Sequence, residues 1–195
     1  MPHADSSVVP DNLVSKSEFY DHVTEQLVAL LDGSRYWVSN LAQASALLYH
    51  AYASSPLYGL QPNSSTPVIN WVGFYHLPLP LTSSSQGQNL TLGPFHGRPA
   101  CLSITPKAGR GVCADAYVSG KGVVVSNVDE YPGHIACDGD TKSEVVIPLT
   151  VSVNGAAQTI GVFDLDSTNL STFDEDDLRG LTRIVEIVAA GSDWP

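Results

Sequence analysis

The order of helical and strand-like segments constrains the fold of this chain more than any other feature. Apolar residues recur at helical spacing over 19–31, again over about 34–52, and last over 178–188. About six short strand candidates lie between the second and the last of these stretches, and Asn154-Gly155 is the strongest hairpin signal. Hairpin connections favour an antiparallel sheet with helices packed on one face, which is an α+β fold.

Local signals locate the boundaries of these elements. Two capping boxes, at 15–18 and 172–175, predict helix starts. Pro148 predicts an edge or a bulge in its strand, and residues 105–122 are expected to hold a short helix and loops that cross the other face. The strand candidates are 68–75, 90–92, 98–104, 123–125, 144–151 and 159–163. The expected organisation is a polar tail over 1–14 followed by one domain over 15–195.

Charge and cysteine content exclude several classes of function. Nine lysines and arginines against twenty aspartates and glutamates give a net charge of −11, which disfavours nucleic acid and anionic membranes as partners. No secretory signal or membrane-spanning run is recognisable, so a cytoplasmic protein is expected. The three cysteines do not suggest a secreted disulfide framework. They are inert thiols, metal ligands or redox groups.

Two cysteines lie in segments that can alter their reactivity. Cys137 is surrounded by Gly and Pro, in a segment that also holds His134. Backbone N–H groups or a protonated His134 would lower the pKa of its thiol, whereas a buried inert thiol is the alternative. Cys113 follows the turn 109–111 at the expected start of a helix, where it is either activated by the helix dipole or simply packs the first turn.

Acidic and aromatic side chains are predicted to share faces of the sheet. Asp164 and Asp166 alternate along one strand, and hairpin pairing could bring Glu144 beside them. Such a cluster would raise the pKa of at least one carboxyl and attract a cation. Trp71 and Tyr75 share a strand face with Gly73, which would leave space for a pocket, although an aromatic core strand fits equally well.

Taken together, these segments resemble the free methionine-(R)-sulfoxide reductases, enzymes built on the GAF fold. The matching segments cover most of 70–181. They are Asn70-Trp-Val-Gly-Phe-Tyr75, Leu92-Gly-Pro-Phe95, Gly97-Arg-Pro-Ala-Cys101, Gly109-Arg-Gly-Val-Cys113, Tyr131-Pro-Gly-His-Ile-Ala-Cys-Asp138, Ser143-Glu144 and Gly161-Val-Phe-Asp-Leu-Asp-Ser167. Ala114-Asp115 departs from the Gly-Thr usual in the family, and the turn over 78–89 is longer than usual.

The resemblance implies a thiol mechanism for reducing free methionine sulfoxide. Cys137 would attack the sulfoxide sulfur and become a sulfenic acid, Cys101 would resolve it as a disulfide, and Cys113 would be a further redox cysteine. Thioredoxin would reduce the disulfide, and neither a cofactor nor a metal is implied. Trp71 and Tyr75 would form an aromatic wall of the substrate pocket. The carboxylates of Glu144, Asp164 and Asp166 would also contact the substrate, as would the backbone N–H groups of Ile135 and Ala136.

Two other functions remain open from the residues alone. A GAF module could bind a small ligand as a sensor without turnover, since fold does not fix function. A zinc site could use Cys113, His134, Cys137 and His96, although these spacings match no common structural zinc pattern. The sequence leaves the oligomeric state undetermined and is compatible with a homodimer.

Overall fold

The computed structural model describes residues 9–82, 85, 87–134 and 138–195. Its helices are α1 (Lys16–Leu31), α2 (Trp37–Ser54), α3 (Val112–Ser119) and α4 (Glu175–Gly191). Its strands are β1 (Ile69–His76), β2 (Leu90–Gly97), β3 (Ser103–Ile104), β4 (Val123–Val125), β5 (Ser143–Val153) and β6 (Ala156–Ser167). The predicted order of elements is confirmed, including the short helix expected within 105–122.

The strands form a single antiparallel sheet in the order β3-β2-β1-β6-β5-β4. The α+β class expected from the sequence is therefore correct. The turn between β5 and β6 is the predicted Asn154-Gly155 hairpin, with φ of 52° and 81° at its two residues. Both angles lie in the left-handed region that a two-residue hairpin turn of the I′ type requires. This turn fixes the register of the long β5–β6 pair.

Pro148 occupies a point where β5 tolerates a missing backbone donor. Among the described residues, β4 pairs with β5 only over Val123–Val125, opposite Glu144 to Val146, so β5 borders the open edge of the sheet at Pro148. The β5–β6 register also shifts between Leu149 and Thr150. Pro148 therefore lies both at an edge of the sheet and next to an irregularity in the strand pairing, which are the two settings in which a strand accommodates proline.

Strand β2 is longer than its sequence indicates. The prediction ended at Leu92, but the strand continues to Gly97, whereas the segment predicted as 98–104 contributes only Ser103–Ile104. A Cβ at Gly97 would lie 2.5 Å from the carbonyl oxygen of Asn70, and one at Gly93 would lie 2.8 Å from the His76 ring. The close approach of β1 thus requires the glycines that made β2 look like a loop.

Local capping signals fixed one helix start correctly and missed another by two residues. Ser15 and Glu18 form the predicted capping box of α1. Helix α4 instead begins after Asp174, whose side chain accepts hydrogen bonds from the N–H groups of Asp176 and Asp177. The predicted box at 172–175 is wrong because the Thr172 hydroxyl bonds to the Asn169 carbonyl and the Ser167 hydroxyl instead.

The two faces of the sheet carry different structures. Helices α2 and α4 pack on one face and α1 packs on them, enclosing the main hydrophobic core. Val9 is buried in this core, ahead of α1. Helix α3 covers part of the opposite face together with a smaller apolar cluster. Among the described residues, none of the helices combines the length and hydropathy that crossing a bilayer requires.

Candidate active site

Strand β1 places an aromatic wall on the face opposite the helical core. Trp71 and Tyr75 lie on this face, whereas Val72 and Phe74 pack into the main core, as their alternation predicted. The Trp71 ring stacks between Tyr75 and Phe95, with centroid separations of 5.8 Å and 5.5 Å. A Cβ at Gly73 would lie 2.5 Å from the Trp71 ring. The space left by Gly73 therefore accommodates the indole ring itself.

Three carboxylates meet on the same face, beside this wall. Glu144 on β5 pairs directly with Asp166 on β6, and Asp164 points to the same face because it lies two residues earlier. Glu144 and Asp164 are 5% and 6% exposed. Among the described residues, Oδ1 of Asp164 has no hydrogen-bond partner. The hairpin register predicted from the sequence thus brings the three acids together.

The environment of this cluster favours neutral carboxyl groups. Burial raises the pKa of Asp164 well above its usual range, and the charges of Asp166 and Glu144 raise it further. Burial also raises the pKa of Asp166, with contributions from Glu144 and Asp138. A carboxyl of this cluster that stays protonated near pH 7 can donate a hydrogen bond.

Cys113 lies against the carboxylates as a buried free thiol. It is the second residue of α3, and its Sγ lies 3.8 Å from Oε1 of Glu144. Burial raises the pKa of the thiol, and the charges of Asp164 and Glu144 raise it further. The helix N-terminus acts in the opposite direction but is outweighed. The surroundings of Cys113 therefore favour a thiol that packs the first turn of α3 over a thiol activated by the helix dipole.

Cys101 lies in the loop between β2 and β3, where it is half-buried and disulfide-bonded. The Tyr75 hydroxyl donates a hydrogen bond of 3.1 Å to the Cys101 carbonyl. The N–H of Leu92 donates to the next carbonyl, that of Leu102, at 3.1 Å. Strands β1 and β2 therefore hold the backbone at Cys101 in a fixed position beside the aromatic wall.

These groups line a cavity of about 320 Å³. That volume is at the small end of the range for ligand pockets. The lining includes Trp71, Tyr75, Cys101, Cys113, Glu144, Asp164 and Asp166. Seven of the ten predicted site residues therefore line the same cavity. Ile135, Ala136 and Cys137 lie outside the described residues.

Two basic residues of the cavity were missed by the sequence reasoning. Lys107 and Arg110 line the cavity and are exposed. They belong to the loop before α3, where no periodicity indicates which way a side chain points. The available signal was their position beside Gly109, in a chain with only nine basic residues. They add positive charge to an otherwise acidic pocket.

A histidine and a thiol give the cluster further ligand atoms. Nε2 of His134 lies 3.5 Å from Oε2 of Glu144. Cys113, Glu144 and Asp164 each offer one atom within 4.8 Å of the others, as a cation site would. Of the zinc ligands considered from the sequence, Cys113 and His134 line the cavity, whereas His96 contacts the rings of Tyr49 and His50. His96 is also absent from the cavity lining.

Comparisons with known proteins identify the family. Residues 71–191 match the GAF domain family. The chain is 37% identical to the free methionine-R-sulfoxide reductase of Saccharomyces cerevisiae, over 95% of this chain and 92% of the yeast protein. It is 36% identical to the Escherichia coli protein of the same name, over 93% and 94% of the two chains.

This chain belongs to the free methionine-R-sulfoxide reductase family. A solved structure agrees with that assignment: the Neisseria meningitidis free methionine-R-sulfoxide reductase in complex with its substrate has a TM-score of 0.75 and 32% identity, over 95% of each chain. The family expected from the sequence motifs, and its GAF fold, are thereby confirmed.

Proposed function

We propose that this protein reduces free L-methionine (R)-sulfoxide to methionine. The observation that carries the proposal is the cavity, in which an aromatic wall faces three carboxylates and two cysteines, in a chain whose relatives are named reductases over nearly their whole length. No feature of the described residues specifically favours the alternative of a sensor without turnover.

The chemistry of the cavity suits a small zwitterion with a methyl-sulfur end. Trp71 and Tyr75 would form the wall of the pocket, with Trp71 against the S-methyl group. The ammonium would lie among Glu144, Asp164 and Asp166, where the unpartnered Oδ1 of Asp164 supports the presence of a donor from the ligand. The substrate carboxylate would bind the backbone N–H groups of Ile135 and Ala136, as the family resemblance implies.

These contacts would also select the free amino acid. Methionine sulfoxide inside a peptide has neutral amide groups in place of both charged termini. Its binding would leave the carboxyl cluster without the donor that the ammonium supplies, and buried polar groups without a partner are costly. We therefore propose that peptide-bound methionine sulfoxide is a poor substrate.

The proposed reaction transfers the sulfoxide oxygen to a cysteine. The thiolate of Cys137 attacks the sulfoxide sulfur while a protonated carboxyl, for which Asp164 is our candidate, donates to the oxygen. The substrate sulfur gains two electrons and leaves as methionine, and Cys137 becomes a sulfenic acid. The thiol of Cys101 then attacks this sulfur, water leaves, and a Cys101–Cys137 disulfide forms. The disulfide-bonded state of Cys101 beside the free thiol of Cys113 supports these roles.

A dithiol must then restore the two thiols. We propose thioredoxin as this reductant, because thiol exchange with an external dithiol returns both cysteines and consumes two electrons. A secondary redox role for Cys113 rests on the family resemblance alone, and neither a cofactor nor a metal takes part in this scheme. The cytoplasmic location expected from the sequence stays a prediction. The homodimer with which the sequence is compatible also stays a prediction.

The deciding experiment is a thioredoxin-coupled assay with the separate R and S epimers of free methionine sulfoxide. Wild-type protein should reduce the R epimer and not the S epimer. Cys137→Ser should abolish turnover, and Cys101→Ser should give a single stoichiometric turnover and then stall. Cys113→Ser is the matched control and should retain more activity than either. Wild-type rates in Cys137→Ser, or equal rates with a methionine sulfoxide peptide, would contradict the proposal.

A further inference from the structure

The segment 99–104 combines a redox cysteine with a strongly exposed apolar side chain. Cys101 is disulfide-bonded, and Leu102, the next residue, is 80% exposed. Among the described residues no other large hydrophobic side chain is more exposed. Strand β3, which ends this segment, is also the outermost strand of the sheet. An apolar group therefore stands at an open edge of the molecule, directly beside the disulfide.

The exposure of Leu102 occurs on a well-held backbone. Its carbonyl accepts a hydrogen bond from the N–H of Leu92, and the Cys101 carbonyl accepts one from the Tyr75 hydroxyl. β3 then pairs with β2. The segment thus presents Leu102 outward in a fixed geometry. A single exposed leucine needs no explanation by itself, but this one adjoins the bond that an external thiol must reach.

Charge near the cysteine suits the species that attacks a disulfide. The attacking species is a thiolate, an anion, whereas the protein has a net charge of −11 and would repel it over most of its surface. Lys107 and Arg110 are exposed and line the same cavity as Cys101. They offset the acidic field where the thiolate has to approach.

We propose that segment 99–104, with Leu102 as its apolar contact and Lys107 and Arg110 beside it, is the docking surface for the protein dithiol that reduces the disulfide. This inference rests on the proposed function and names the surface its reductant uses. One thiolate of the dithiol attacks the Cys101 sulfur, the intramolecular S–S bond breaks, and the thiolate released, that of Cys137, takes up a proton. The second thiolate of the dithiol attacks the mixed disulfide, so Cys101 leaves reduced and the partner carries the new disulfide.

The test compares two reductants on the same variants. Leu102→Glu places a negative charge at the contact, and Val28→Glu is the control, because Val28 is 53% exposed on α1, beyond the opposite face of the sheet. With thioredoxin as reductant we expect kcat/KM for thioredoxin to fall about tenfold or more in Leu102→Glu. With dithiothreitol, which needs no docking surface, its turnover should equal that of wild type. Val28→Glu should match wild type with both reductants.

Two further measurements separate this inference from the proposed function. The first measurement is the rate at which reduced thioredoxin reduces the disulfide form of the protein, monitored by thiol titration without any sulfoxide. This rate tests docking even if the substrate is not methionine sulfoxide. Leu102→Ala removes the apolar contact without adding charge and should slow this step several-fold. An unchanged rate in Leu102→Glu, or equal losses with thioredoxin and dithiothreitol in both Leu102 variants, would overturn the docking surface. Absence of dithiothreitol-driven turnover in the wild type would instead contradict the proposed function.

Discussion

At the scale of single residues, Asp164 has the environment best suited to a proton donor. Its pKa is raised by burial and by Asp166 and Glu144, so it stays protonated at low pH and loses its proton as the pH rises through the raised pKa. We expect wild-type kcat to fall on the alkaline side for this reason. Asp164→Asn keeps the shape but cannot transfer a proton, so kcat should drop about a hundredfold and lose that alkaline dependence. Profiles of kcat against pH measure both effects.

Thermal stability provides the control for this variant. A carboxyl whose pKa is raised by folding contributes its stability below the pKa of the unfolded chain, and that contribution is lost as pH rises through the folded pKa. Relative to wild type, Asp164→Asn should therefore gain stability as the pH rises above the pKa that this carboxyl has in the unfolded chain. An Asn variant with wild-type kcat and an intact fold would rule out Asp164 as the donor.

Residues on regular strands could be placed from the sequence, and residues on loops could not. The two-residue period of β1 and β6 put Trp71 with Tyr75 and Asp164 with Asp166, and the Asn154-Gly155 turn set the register that adds Glu144. Lys107 and Arg110 were missed because a loop has no period, and its path depends on contacts with distant segments. The meeting of Cys101 with these groups depended on the family resemblance, since spacing alone does not bring dispersed loops together.

At the scale of elements, α3 joins the two loops that border the cavity. Oδ1 of Asp115 accepts a 2.6 Å hydrogen bond from the N–H of Gly109, and Oδ2 accepts one of 2.8 Å from the Tyr131 hydroxyl. A Cβ at Gly133 would lie 2.3 Å from the Gly109 carbonyl oxygen, so the loops also touch directly. The two hydrogen bonds of Asp115 therefore tie the loop of Arg110 to that of His134.

Removing this connection should loosen substrate binding more than it slows the chemical step. We expect Asp115→Ala, which loses both hydrogen bonds, to raise KM for methionine sulfoxide about tenfold with a smaller change in kcat, and Tyr131→Phe, which loses one, to have an intermediate effect. Asp129→Ala, which breaks only an exposed ion pair with Lys142, is the control and should leave KM unchanged. Steady-state kinetics of all three variants distinguish these results, and equal KM values would exclude a positioning role.

At the scale of the whole molecule, the two faces of the sheet divide stability from chemistry. On the cavity side, burial and neighbouring charges disfavour the ionised forms of Asp164, Asp166 and the Cys113 thiol. The helical side holds the larger apolar core and a satisfied polar network around Asp177, which is fully buried. Asp177 accepts hydrogen bonds from Lys16, Tyr20 and Tyr58 at 2.5, 2.9 and 2.5 Å, and it thereby joins α1 and the 55–66 loop to α4.

This division predicts that stability can be lowered from the helical side without changing the chemistry. Asp177→Ala leaves the Lys16 ammonium and two tyrosine hydroxyls without their shared acceptor, and breaking such a pair costs about 3 kcal/mol. For a chain of 195 residues that corresponds to a fall in Tm of about 10 °C. Asp193→Ala breaks an exposed pair with Arg35 and should cost less than about 1 kcal/mol. Thermal unfolding measures the loss of stability, and a turnover assay at 25 °C should show that kcat of Asp177→Ala stays near that of wild type. A loss of kcat in the folded variant would instead mean that the helical layer also sets the geometry of the cavity.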